Sequence, residues 1–226
     1  MGFNQRFHPA VVRAREEIRK GTIGRVMGLR VASGAAPREL PQWKRRRAEG
    51  GGVLLDAFSH HADLARFLLD DEVREVTASV TSVRTEDDNA WATMTMAGGE
   101  RVESRCSFTS VQENRFEVMG DAGGLAVDRI EGHMERIPAQ PAWGRAARLR
   151  LAARRLRDLP RGVRSVLSPP GDPSFSLALF AFVRALREGS PTAPDLRDGE
   201  RSLAVVLAAE AAARHGGNVT VAPPRA

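Results

Sequence analysis

Of the 226 residues only one, Cys106, is cysteine, which excludes an internal disulfide framework and any zinc cage built from thiolates. We expect no metal site and a reducing, cytoplasmic setting. Apolar runs long enough to span a bilayer are missing, as is a charged-then-apolar leader with a small-residue cleavage site, so neither membrane insertion nor export is expected. Lysine is scarce as well, confined to Lys20 and Lys44, and nearly all positive charge is arginine. What remains is 42% hydrophobic and 27% charged, enough apolar material for one packed domain of ordinary size.

The net charge of +6 is local. Arg145, Arg148, Arg150, Arg154, Arg155, Arg157, Arg161 and Arg164 face only Asp158, and the rest of the chain is close to neutral. No aromatic follows Trp143 in that stretch to stack on bases, so no nucleic-acid partner is expected. An amphipathic helix with Leu149, Ala152, Ala153 and Leu156 inward accounts for the pattern, and an anionic partner is a further option.

Apolar spacing predicts a helix within His8 to Gly24, with Pro9 at its first position and Gly21 as its stop. Arg25 to Ser33 alternates as a strand, Met27, Leu29 and Val31 forming its larger apolar set. Pro37 to Gly52 reads as a polar loop carrying Trp43 and the run Lys44 to Arg47, and a helix follows from Val53 to Leu69. The period then becomes two. Val73–Arg84, Asn89–Ala97, Arg101–Val111, Arg115–Gly120, Leu125–Arg129 and His133–Ile137 read as six strands. Links as short as Gly98-Gly99 favour an antiparallel meander. Two helices close the chain: Ser174 to Glu188 with a stripe of Phe175, Leu179, Phe182, Val183 and Leu186, and Leu196 to His215 with Leu203, Val206, Leu207 and Glu210. A short strand, Val219 to Ala222, follows. The order predicts an α+β fold, helices on one face of a mostly antiparallel open sheet.

Candidate chemistry concentrates in Glu49-Gly-Gly-Gly-Val-Leu-Leu-Asp56-Ala-Phe-Ser-His60-His61-Ala-Asp63. At helical spacing Asp56, His60 and Asp63 lie within about 60° of one another. Leu54, Ala57, Phe58, Leu64, Ala65 and Leu68 lie opposite, and His61 projects with them as a structural histidine. An imidazole near carboxylates can exchange a proton close to neutrality. Ordinary pairing along an exposed helix would use the same spacing. Gly50, Gly51 and Gly52 would let a bound group approach the helix N-terminus closely.

Taken with Gly2-Phe-Asn-Gln-Arg-Phe-His-Pro9, Gly21-Thr-Ile-Gly-Arg-Val, Phe182-Val-Arg-Ala-Leu-Arg-Glu-Gly189 and the stretch from Asp198-Gly-Glu-Arg to Val221, that segment resembles the glucose–fructose oxidoreductase/inositol dehydrogenase (Gfo/Idh/MocA) family. The likeness runs nearly end to end, weakest from Gln140 to Asp172. It implies the C-terminal domain of an NAD- or NADP-dependent oxidoreductase that acts on sugars, inositols or related polyols by hydride transfer. His60 would carry the proton and Asp56 would assist it. Asp63, Trp43, Gly51 and Gly52 would line the substrate site, and an open sheet face would serve oligomerisation.

The sequence has no G-x-G-x-x-G, no βαβ unit ahead of the first helix and no Glu-Lys-Pro. The resemblance implies that residues 1–8 are the remnant of the family's final Rossmann strand, and 9–226 the substrate and oligomerisation domain, with a variable Arg-rich segment at 140–173. A truncated reading frame and a free-standing domain paired with a separate dinucleotide-binding partner both fit. Alone the chain is expected to be inactive. A non-catalytic module, or a relic pairing with an intact paralogue, is the alternative.

Overall fold

In the computed structural model, residues 2–140, 144, 149 and 171–223 are described. The arginine-rich helix expected between Arg145 and Arg164 lies outside the described residues.

The first element is a 3-10 turn, Asn4–Phe7, where the likeness implied the end of a strand. Among the described residues no strand pairs with it. Its Arg6 is instead held by carboxylates from two later helices. His8 then caps helix α1 (Pro9–Arg19), its Nδ1 accepting the Ala10 N–H at 3.2 Å, and Pro9 fills the first position, where no N–H is needed.

Strand β1 (Val26–Gly34) occupies the middle of an eight-stranded sheet. The other strands are β2 (Val73–Thr81), β3 (Asn89–Met96), β4 (Arg101–Ser107), β5 (Glu113–Gly120), β6 (Gly123–Asp128), β7 (His133–Pro138) and β8 (Val219–Thr220). Their order is β7-β6-β5-β1-β4-β3-β2-β8. The expected meander is thus two hairpin runs with β1 inserted between them, parallel to β4 and antiparallel to β5. The link from β4 to β5 must cross the end of β1. There Gly34 is required, because a Cβ would stand 2.3 Å from the Val111 carbonyl oxygen. Met27 departs from its expected set: a bulge between Val26 and Gly28 turns it outward, 59% exposed, while Leu29 and Val31 stay buried.

The helix expected over Val53–Leu69 is two pieces, a π turn at Leu54–Phe58 and helix α2 (Ser59–Leu69). Helix α3 (Ser174–Glu188) keeps its predicted bounds but not its predicted packing. Phe175, Leu179, Phe182 and Leu186 are at least half exposed, and only Ser174 and Ala185 are buried. Helix α4 (Leu196–His215) opens with a capping box formed by Asp195 and Asp198. Its buried residues are Gly199, Ser202, Val205, Val206, Ala208, Ala209, Glu210 and Ala212, whereas Leu203 and Leu207 are about half exposed. Small residues on that face let α4 lie close to β2. Helices α1, α2 and α4 cover one side of the sheet over a core that includes Leu29, Phe58, Leu64, Met94, Phe116 and Val206. No helix among the described residues covers the other side. A groove of about 660 Å³ runs there past Arg30, Thr77, Trp91, Glu103 and Arg105. No helix among the described residues is long and apolar enough to cross a membrane.

Candidate functional site

The glycine run closes a loop onto the start of the π turn. Gly50 and Gly52 adopt φ of +94° and +95°, open to glycine at little cost. Gly51 donates its N–H to the Arg46 carbonyl at 3.0 Å, and a Cβ there would sit 2.5 Å from the Lys44 carbonyl oxygen. Both Gly51 and Gly52 are buried by the chain's own loop. The pair folds that loop back toward the start of the π turn. The far end of the loop is anchored by Arg47, whose Nε donates to Glu210 Oε1 of α4 at 2.7 Å and whose backbone N–H donates to Glu86 Oε2 at 2.9 Å.

So fixed, the loop carries Lys44 to Asp56. Lys44 Nζ donates to Asp56 Oδ2 at 2.7 Å and stands 5.2 Å from the ring of Trp43, which is half exposed. Sequence reasoning saw Lys44 only as part of a basic run. The available signal was its rarity, one of two lysines in an arginine-rich chain.

His60 follows the π turn. The wider turn breaks the even 100° spacing on which the expected common face with Asp56 rested. The imidazole is largely buried; Phe3 meets it edge-on, ring centres 5.7 Å apart, and its Nδ1 is buried without a hydrogen-bond partner. Burial holds its pKa below the ordinary histidine value, the positive charge of Arg129 acts in the same direction, and Asp56 opposes both. The neutral ring is favoured.

Asp63 does not join them. It is 1% exposed, and both of its oxygens are taken by Arg6, at 2.9 Å from Nε and 2.5 Å from Nη2. Arg6 also reaches Asp198 Oδ1 at 2.9 Å, so this carboxylate ties the N-terminal turn to α2 and α4. Burial raises the Asp63 pKa and Arg6 works against that rise. Where a substrate contact was expected of Asp63, the structure shows a buried tether to Arg6. His61 fits its structural reading. It is 1% exposed, with Nδ1 2.7 Å from Ser104 Oγ and 3.4 Å from Cys106 Sγ. Burial first, then the charges of His60 and Arg129, push its pKa down to about 3, and burial pushes the Cys106 thiol up to about 12. The two are a neutral pair without a thiolate.

A buried α+β core, a glycine-closed loop and a neutral imidazole beside a lysine-held carboxylate define a domain with a polar site at the head of α2. Residues 11–126 match the family described as the GFO/IDH/MocA C-terminal domain, and the chain belongs to that family. It is 25% identical over 219 residues to the myo-inositol 2-dehydrogenase of Thermotoga maritima, covering 92% of this chain and 60% of that protein. It is 34% identical over 118 residues to the 1,5-anhydro-D-fructose reductase of Ensifer adhaerens, 49% of this chain and 35% of the relative. Among solved structures, levoglucosan dehydrogenase in complex with NADH has a TM-score of 0.77 at 19% identity, covering 99% of this chain and 66% of that one. The chain thus spans less than two thirds of the length of these relatives.

Proposed function

We propose that this chain is the substrate half of a dehydrogenase or reductase of sugars, inositols or related polyols, with His60 as proton carrier and Asp56 as its assistant. The observation that carries the reading is His60 itself, a largely buried, neutral-favouring imidazole with an unpartnered Nδ1, next to a carboxylate held by Lys44. A neutral ring accepts the proton of a substrate hydroxyl as that carbon is oxidised, and the protonated ring returns it in reduction. Asp56 stabilises the imidazolium so formed and, with Trp43 alongside, offers oxygen acceptors and an aromatic face to a polyol. Asp63 acts at one remove by fixing the N-terminal turn that bears Phe3.

The nicotinamide dinucleotide that such chemistry uses would supply the hydride acceptor. No residues described here suit its pyrophosphate: the sequence holds no G-x-G-x-x-G turn between a strand and a helix, and this sheet has a single parallel pair. The chain is accordingly read as dependent on a dinucleotide-binding domain and inactive without one. A second copy is assigned to the uncovered sheet face around Trp91.

Saturation-transfer NMR with myo-inositol and a panel of hexoses and polyols tests the substrate assignment. Transfer to at least one of them that is lost in His60→Ala and Asp56→Ala but kept in Glu16→Ala supports it. No transfer to any, or transfer indifferent to His60 and Asp56, overturns it. Fluorescence titration with NADH and NADPH tests the second half, and saturable micromolar binding to the chain alone contradicts it.

A further inference from the structure

A second set of ionisable groups gathers around the N-terminal turn. Arg129, immediately after β6, has a side chain only 4% exposed. Its Nη1 donates to Asn114 Oδ1 at 2.8 Å and its Nη2 to Asp172 Oδ2 at 3.2 Å, while Nε is buried without an acceptor. Asp172 is fixed in turn: its Oδ1 accepts the Ser174 N–H at 2.9 Å, at the start of α3. Ser174 Oγ accepts from Asn4 Nδ2 at 2.7 Å, and Asn4 adjoins Phe3, the ring set edge-on to His60. His8, 3% exposed, bonds the Arg129 backbone while its Nδ1 caps α1. The guanidinium is therefore held from two sides within one cluster with His8 and His60. A fixed, buried cation acts on neighbouring charges far more strongly than a solvated one.

We propose that Arg129 is a positioning residue of the His60 site: pinned between Asn114 and Asp172, its guanidinium sets the charge environment in which the imidazole takes up a proton. This rests on the reading of His60 as proton carrier. The charged groups that act on the ring are Asp56 from the π turn, held by Lys44, and Arg129 after β6, itself held by Asp172 ahead of α3; His61 adjoins it on α2, and His8 at the head of α1 bonds the Arg129 backbone. Asp56 draws a proton toward the ring, against the burial that disfavours the charged form. Arg129 offsets that pull, and after burial it is the largest influence that keeps both His60 and His8 neutral. Asp172 moderates Arg129 and so sets how far the offset goes.

The test follows the ring resonances of His60 in the full chain, labelled with nitrogen-15 at histidine and assigned with His60→Gln, from pH 4 to 9. Arg129→Met is expected to raise the His60 titration midpoint by about half a pH unit or more, and Arg129→Lys to leave it near the wild-type value. Asp172→Asn, which removes the countercharge, is expected to lower it. Opposite movements from two ends of one ion pair are not produced by a merely structural loss. An unmoved midpoint in a folded Arg129→Met chain overturns the proposal, as does an upward movement in Asp172→Asn. Should Arg129→Met fail to fold, Asp172→Asn still gives the sign: a lowered midpoint supports the proposal, and an unmoved or raised one overturns it. The midpoint is an equilibrium property and needs no turnover, so a failed polyol assignment and a failed role for Arg129 are told apart.

Discussion

His61 is sealed against Ser104 and Cys106 with a pKa near 3, whereas in the unfolded chain it titrates near 6.5. Below pH 6.5 the unfolded state binds a proton that the folded state refuses, so stability falls as the pH drops from 6.5 toward 3. Between pH 6.5 and 5, above the carboxylate range, His61 alone accounts for a loss of about 2 kcal/mol, with His60 and His8 adding in the same direction. Urea unfolding at the two pH values measures it, and His61→Gln is expected to flatten the slope. His60→Ala, by contrast, is expected to leave folding nearly intact and to abolish polyol binding, measured on the same samples. Helical spacing put His61 with the apolar face, and it is buried there, since burial of one face is a local property. The Asp63 ion pair was not legible in the same way: its partner Arg6 lies 57 positions away, and nothing in the local pattern announces a pair of that span.

Element by element, the alternation and turn residues located every strand to within a few positions, because period and punctuation are local. Strand order is not local. Nothing within Val26–Gly34 says that it will lie between β4 and β5; two neighbours on the ladder and a glycine where the link crosses are the record of it. Gly34→Val is expected to destabilise the chain by about 2 kcal/mol or more, since the added atoms meet backbone, and a thermal melt reads it. The capping box of α4 was likewise invisible as a box, with Asp rather than Glu or Gln at its third position. Asp195→Ala is expected to lower stability by about 1 kcal/mol in the same melt. The π turn escaped periodicity altogether, because a one-turn widening leaves the apolar pattern almost unaltered.

For the whole molecule, two surfaces stand out, the uncovered sheet face around Trp91 and the apolar side of α3. The stripe of large residues on α3 was legible in the sequence, but not what it faces. In the structure those residues border a groove of about 560 Å³ with Gly2, Asn4 and Phe7. Phe180→Lys is expected to change unfolding free energy by less than about 0.5 kcal/mol, a result that separates surface from core. On the other face, Trp91→Glu is expected to shift sedimentation toward the monomer, and an unchanged profile removes the sheet-to-sheet assignment.

The central seat of β1 also has a temporal side. A ribosome releases this strand some 70 to 90 residues before its two ladder partners, so the nascent segment has neither of them to pair with until β4 and then β5 have emerged. The half-made product is an open ribbon exposed to the wrong pairings, and chaperone dependence of the newborn chain should ease abruptly once synthesis passes Gly120.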